Sequence, residues 1–268
     1  MIEFFLVEKL NQYSENYVIS IKTLLFSMLN FAVNESIIHE KIKKTVKIKT
    51  PVSSVEVFTA DEQQRLENYI MQHTNLITVG ILLVLYTGIR IGELCALNIS
   101  HIDLAERFLY VRKTMQRIKN LDSGATSKTK IIVDTPKSQK AVRDIPLPQF
   151  LIELLKTTLK TYHKNSYVLT GSLYKFIEPR TMENHFKAVL KHCQIENKGF
   201  HALRHTFATN CVINGFYDIK TLSEILGHED VKTTLNRYVH SCNSIKAKQV
   251  ERLHNAFVNR VNCGIINM

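Results

Sequence analysis

Apolar residues recur at three- and four-residue intervals over residues 18–39, at Ile21, Leu24, Leu25, Met28, Leu29 and Ala32, which predicts an amphipathic helix. The stretch that follows, KIKKTVKIKTPVSS, carries Lys41, Lys43, Lys44, Lys47 and Lys49, stops at Pro51, and reads as an extended cationic linker and a domain boundary. Beyond it, Thr59 and Glu62 in FTADEQQRLENYI have capping-box spacing, in which a hydroxyl and a carboxylate satisfy the free amides of a helix start. A further helix runs through NLITVGILLVLY, breaks at Thr87 and Gly88 and resumes as IRIGELCAL, so Arg90 falls where a helix restarts after a glycine turn. Between Phe108 and Leu147 the segments RFLYVRKT, KTKIIVDT and KAVRDIPL are short, β-branched and bounded by turn residues, as in a small antiparallel sheet. Helical periodicity returns at LPQFLIELLKTTL and continues through PRTMENHFKAVLKHC, HALRHTFATNCVI, DIKTLSEIL and VKTTLNRYV to a last helix near SIKAKQVERLHNAF. The expected fold class is mainly α with a small antiparallel β-sheet (α+β), divided into unequal units over residues 1–50 and 51–268.

Composition narrows the class. With 45% hydrophobic and 22% charged residues and only 9 Gly and 5 Pro, the chain has the make-up of a folded globular protein. Lys and Arg number 35 against 24 Asp and Glu, a formal charge of +11 that favours a polyanionic partner. The five cysteines are odd in number, scattered and without CxxC spacing, so neither a disulfide framework nor a zinc site is suggested and a reducing cytoplasm is expected. The N-terminal residues carry early charges, and the apolar run from Ile81 to Tyr86 is too short to span a bilayer, so no membrane partner is expected.

Three short motifs bear on chemistry. In TGIRIGEL, Arg90 follows the glycine turn, and Glu93 lies three residues on, where a carboxylate can steady a guanidinium. In HALRH, His201 and Arg204 share one helix face and can meet one anion. In GHEDVKTTLNRYV, Gly227 reads as a helix stop, His228 follows it, Asp230 reads as an N-cap and Tyr238 lies on the next helix.

Taken in order, these motifs resemble the tyrosine recombinases, or phage integrases, over about Val55 to His240. TGIRIGEL resembles the family's first arginine box, TPKSQKAVRDIPL its lysine hairpin, HALRHTFAT its histidine–arginine box, and LGHEDVKTTLNRYVH its closing segment. The resemblance implies Arg90 and Arg204 as phosphate clamps, His201 and His228 as hydrogen-bonding and proton-transfer partners with His201 a base, Tyr238 as nucleophile, and Lys137, chosen over Lys140 by the spacing PKSxxxxRxIP, as general acid. The chemistry suits these residue types. Permanently charged, fork-shaped guanidiniums offset the charge that builds on a phosphodiester, and a tyrosine with a pKa near 10 needs a base or a cationic field to attack. Because the bond energy is kept in a phosphotyrosyl link, no cofactor, metal or ATP is implied.

The resemblance further implies duplex DNA as partner, a homotetramer on synapsed DNA and an accessory excision protein. Lys41, Lys43 and Lys44 of the linker, with Lys140 and Arg143 of the basic hairpin, are the expected DNA contacts. Residues 1–50 resemble the last helices of a core-binding (SAM-like) DNA-binding domain together with the linker, and 51–268 a recombinase catalytic domain. A complete core-binding domain would be longer, so a shortened N-terminal unit is expected, and with it an alternative: a truncated integrase remnant that only binds DNA. The presence of all six catalytic candidates favours an active recombinase. A relaxing type IB topoisomerase would use the same chemistry without a partner subunit. The last helix, with Ile245, Val250, Leu253 and Phe257, suits either docking on a neighbouring subunit or capping its own core.

Overall fold

A computed structural model describes residues 2–38, 55–122, 126–136, 138–238 and the short pieces 250–251, 254–255 and 257–258. Lys41, Lys43, Lys44 and Lys137 lie outside the described residues, as does most of the expected last helix. The chain divides into two compact units, Met1–Ser54 and Val55–Met268.

The first unit holds α1 (Ile2–Leu10) and α2 (Glu15–Asn34). Among its described residues Leu6, Val18 and Phe26 are buried, while Phe4, Leu24, Met28 and Phe31 are exposed. By length and composition alone α2 is apolar enough to cross a membrane, a property that core helices of soluble proteins share.

In the second unit α3 (Ala60–Gln72) begins at Thr59 with the expected capping box: the Thr59 hydroxyl accepts from the Glu62 amide and the Glu62 carboxylate from the Thr59 amide. Next comes α4 (Leu76–Thr87), whose residues from Thr78 to Leu85 are all buried, as an apolar run with no polar face requires of a central helix. It packs against α3, α6 (Gln149–Leu159), α7 (Pro179–His192) and α8 (His201–Asn214). Gly88 closes α4 in the left-handed region at φ 65°, where a Cβ would stand 2.6 Å from the Phe207 ring. That turn leads into the short α5 (Ile91–Cys95), with Arg90 at its N-cap.

The β region is small and antiparallel, as expected, and divides into two sheets. The antiparallel strands β1 (Ile102–Asp103), β2 (Phe108–Val111) and β5 (Arg143–Pro146) form one sheet in the order β1-β2-β5, while β3 (Thr114–Lys119) and β4 (Thr129–Asp134) form a separate antiparallel hairpin. Within RFLYVRKT the strand β2 stops at Val111, and β3 starts only at its last residue, Thr114. Between them the Arg112 side chain donates to the Arg143 carbonyl, pairs with Asp144 and stacks over the Tyr110 ring. After α8 come α9 (Ile219–Leu226) and α10 (Val231–Tyr238), which pack on each other and on α8.

Candidate active site

The site is built around the C-terminal end of α9. A helix end leaves its last carbonyls without intrahelical partners and carries partial negative charge, so it draws cations. Three consecutive carbonyls here each accept from a different arginine: Ile225 from Arg143 Nε, Leu226 from Arg204 Nη2 at 2.6 Å, and Gly227 from Arg90 Nη2 at 3.0 Å. Arginines from β5, α8 and the α5 N-cap are thereby gathered at one point, although they are far apart in sequence.

Glu93 organises the same cluster. Its carboxylate is 3% exposed and takes both ends of the Arg143 fork, Nη1 at 3.0 Å and Nη2 at 2.9 Å, together with Arg90 Nη1 at 3.0 Å and the Arg90 amide at 2.8 Å. Burial alone would raise its pKa, but Arg143 and then Arg90 hold it below the usual carboxylate value. Three guanidiniums against one carboxylate leave two positive charges in excess, the charge pattern of a pocket suited to a phosphate.

Arg90 and Arg204 differ in accessibility. The Arg90 side chain stays 36% exposed, whereas Arg204 is 1% exposed and also donates to the Gly88 carbonyl. Burial and the neighbouring Arg90 lower the Arg204 pKa, yet the group keeps its charge at neutral pH.

Arg143 departs from its expected place on a DNA-facing surface. It is buried, with its guanidinium committed to Glu93 and to the Ala141 and Ile225 carbonyls, so it acts as a strut beneath the pocket. Lys140 is exposed, and its Nζ reaches the Glu229 carbonyl at 2.6 Å, which ties the β4–β5 connection to the loop after α9.

The histidines and the tyrosine close the cluster. Gly227, left-handed at φ 63°, ends α9 and hands the chain to His228, whose Nδ1 lies 2.8 Å from the hydroxyl of the fully buried Thr234 on α10. Burial, followed by Arg204 and Arg90, pushes His228 down to about 3, so its ring is neutral. His201 opens α8 with an edge to solvent; the protein around it and the charges of Arg204 and Arg90 lower it as well.

Tyr238 is the last residue of α10 and is 5% exposed. Its ring lies parallel to that of His228 at 6.4 Å between centroids. Burial raises its hydroxyl above the ordinary value, while Arg204 and Arg237 pull the other way.

The structure thus brings together Arg90, His201, Arg204, His228 and Tyr238. It also places a residue to which the motifs assigned no role: His205, whose Nδ1 is 2.7 Å from the Tyr238 hydroxyl. The signal available in sequence was its spacing of four from His201, which puts both rings on one face of α8.

The model of the Phage integrase family matches residues 56–244. A "Tyrosine recombinase XerC-like" protein of Caldanaerobacter subterraneus subsp. tengcongensis is 27% identical over 266 residues, covering 91% of this chain and 67% of that protein. The "Transposase from transposon Tn916" of Enterococcus faecalis is 26% identical over 191 residues, covering 65% of this chain and 44% of its own length. The chain thus spans from under half to about two thirds of the length of these relatives.

Among solved structures, the Tn1549 transposon integrase in complex with transposon right end DNA superposes with a TM-score of 0.70 at 21% identity, covering 94% of this chain and 84% of that one. The XerA recombinase superposes at 0.57 with 23% identity, covering 93% and 79%. These two likenesses show the fold.

Proposed function

Because the chain belongs to the phage integrase family of tyrosine recombinases, we propose that it cuts and rejoins duplex DNA at specific sites through a 3′-phosphotyrosyl link at Tyr238. The observation that carries this reading is the convergence of Tyr238 with Arg90, Arg204, His201 and His228 on the arginine-capped end of α9.

In this reading Arg90 and Arg204 hold the non-bridging oxygens of the scissile phosphate and offset the charge that develops as phosphorus becomes five-coordinate. Both are fixed by carbonyl acceptors before DNA arrives, so little reorganisation accompanies the reaction. His228, neutral and oriented through Thr234, and His201, at the open edge, offer hydrogen bonds to the same phosphate. Lys137, which follows β4 and precedes β5 in the sequence, supplies the proton to the leaving 5′ oxygen.

The link formed at Tyr238 preserves the energy of the cleaved bond, so rejoining needs neither ATP nor metal. Duplex DNA is the partner, with Lys41, Lys43, Lys44 and Lys140 on its backbone; four copies on two synapsed duplexes and an accessory excision protein in the cytoplasm complete the assembly.

The test is a nicked suicide duplex from the ends of the genetic element that encodes the chain, incubated without metal or ATP. A denaturation-resistant adduct is expected with the native chain and none with Tyr238→Phe. Retarded DNA without an adduct would replace this reading with a protein that only binds DNA.

A further inference from the structure

His205 stands four residues after His201 on α8, and its ring faces the nucleophile more directly than either of the other two imidazoles. Its Nδ1 lies 2.7 Å from Tyr238 Oη, its ring centroid is 5.7 Å from that of the tyrosine, and the His201 ring stands edge-on at 4.7 Å. The geometry points to His205 as the catalytic residue that aims the Tyr238 hydroxyl and takes its proton as it attacks phosphorus, a role that rests on the chain being a recombinase.

The hydrogen bond runs from the tyrosine to the imidazole in the Nε2–H tautomer of His205, which leaves a lone pair on Nδ1. A phenol has one proton. In that tautomer the Tyr238 hydroxyl donates it to His205 Nδ1. For Nδ1 to accept, the imidazole has to be neutral. Burial, followed by the charges of His201, Arg237 and Arg204, pushes His205 down to about 4, so at physiological pH its lone pair is free. The titratable and charged groups that face the ring are His201 and Arg204 on α8, and Arg237 and Tyr238 on α10.

The other two imidazoles are otherwise placed. His228 Nδ1 is held by Thr234, and the His228 ring lies parallel to that of Tyr238 with the centroids 6.4 Å apart. His201, the base expected from the motif, makes its ring contact with His205. Among the described residues, His205 is the imidazole within hydrogen-bond distance of the attacking oxygen.

The step balances. The Oη–H bond of Tyr238 breaks and its proton passes to His205 Nδ1, giving an imidazolium. The freed Oη pair forms the bond to phosphorus. The bond from phosphorus to the 5′ oxygen breaks, and that oxygen leaves with its electron pair and takes a proton from Lys137. An imidazolium between Arg237 and Arg204 is unfavourable, so the transfer comes late and reverses readily. When the 5′ hydroxyl attacks in the rejoining step, His205 returns the proton to the departing tyrosine.

The test is the single-turnover rate of adduct formation on the nicked duplex between about pH 5 and 9. It compares the native chain with His205→Ala and with His205→Asn, whose amide oxygen sits near the Nδ1 position and accepts a hydrogen bond without being basic. The native rate is expected to be level above about pH 6. Both variants are expected to lose about 10²- to 10⁴-fold at neutral pH and to regain about tenfold per pH unit as hydroxide takes over, and added imidazole should partly rescue His205→Ala.

Unchanged melting temperature and DNA retardation would show that the variants fold and bind; if His205→Ala does not fold, His205→Asn decides. A variant as fast as the native chain, or a His205→Asn rate that is native-like and level with pH, would reduce His205 to a tether and overturn the proposal. Absence of adduct from the native chain itself would count against the recombination reading and not selectively against His205.

Discussion

At the scale of single residues, Glu93 is the counter-charge that lets arginines from three elements share one space. Its ion pair with Arg143 has side-chain exposures of 6% and 3%, so removing the carboxylate strands a buried cation beside two others. Breaking such a pair typically destabilises by about 3–5 kcal/mol, and Glu93→Gln is expected to do so in urea unfolding. The folded Glu93 pKa lies below 4.5, so its contribution is full above that value and is lost as pH falls through the folded value. The histidines act earlier. His228 and His205 titrate in the fold at about 3 and about 4 against an ordinary 6.5. As pH drops below 6.5 the unfolded chain takes up protons that the folded chain refuses, so stability declines from about pH 6.5 downward. The melting temperature is expected to fall between pH 7 and 5, by roughly 2–4 °C per kcal/mol lost, and to fall less in His228→Gln. An equal fall in that variant would show that His228 is not held neutral by the fold.

At the scale of elements, the decisive feature is the end of α9, where the carbonyls of Ile225, Leu226 and Gly227 each meet an arginine. Gly227 makes this possible: its φ is 63°, and a Cβ there would stand 3.1 Å from Arg143 Nη1 and 3.2 Å from the Lys140 carbonyl. Gly227→Ala is expected to lose about 1–2 kcal/mol for the left-handed backbone and to slow adduct formation, because Arg143, Lys140 and the His228 loop shift together. Gly199→Ala is the control, since its Cβ would meet only the Glu56 carboxylate, at 3.8 Å. A Gly227→Ala protein as stable and as fast as this control would remove the α9 end from the account.

The elements themselves were largely legible in sequence: the Thr59–Glu62 capping box, the wholly apolar α4, the stop at Gly88 and the restart at Arg90 are local signals. What was not legible is tertiary. RFLYVRKT reads as strand to its end because nothing within it announces that β2 stops at Val111 and that the Arg112 side chain reaches the Arg143 carbonyl. Arg143 reads as a surface cation because Glu93, fifty residues earlier, and Ile225, eighty-two later, are invisible to local pattern. His205 lay within the motif HALRH, and only the fold shows that α10 brings the Tyr238 hydroxyl to it.

At the scale of the whole molecule, the chemistry and the charge are unevenly shared. Arg90, Glu93, Arg143, His201, Arg204, His205, His228 and Tyr238 all belong to the unit Val55–Met268, whereas Lys41, Lys43 and Lys44 belong to Met1–Ser54. Under the proposed function the two units share the grip on the DNA backbone: of the formal charge of +11, residues 1–54 carry 7 Lys against 5 Glu, and the rest of the chain carries the remaining +9. Residues 55–268 expressed alone are expected to unfold in one cooperative transition and still form the Tyr238 adduct at high protein concentration, because every described group of the pocket remains. Their DNA affinity is expected to be lower and less sensitive to salt. Each lysine–phosphate pairing that is removed reduces the slope of log affinity against log salt by about 0.9, so removing all three lysines flattens it by roughly three between about 50 and 200 mM salt. Fluorescence anisotropy on one labelled duplex measures both slopes. Equal slopes would take Lys41, Lys43 and Lys44 off the DNA. A fragment that binds with the flatter slope but forms no adduct would mean that the first unit sets the geometry of the scissile phosphate as well as the strength of binding, because no described group of the pocket would then be missing.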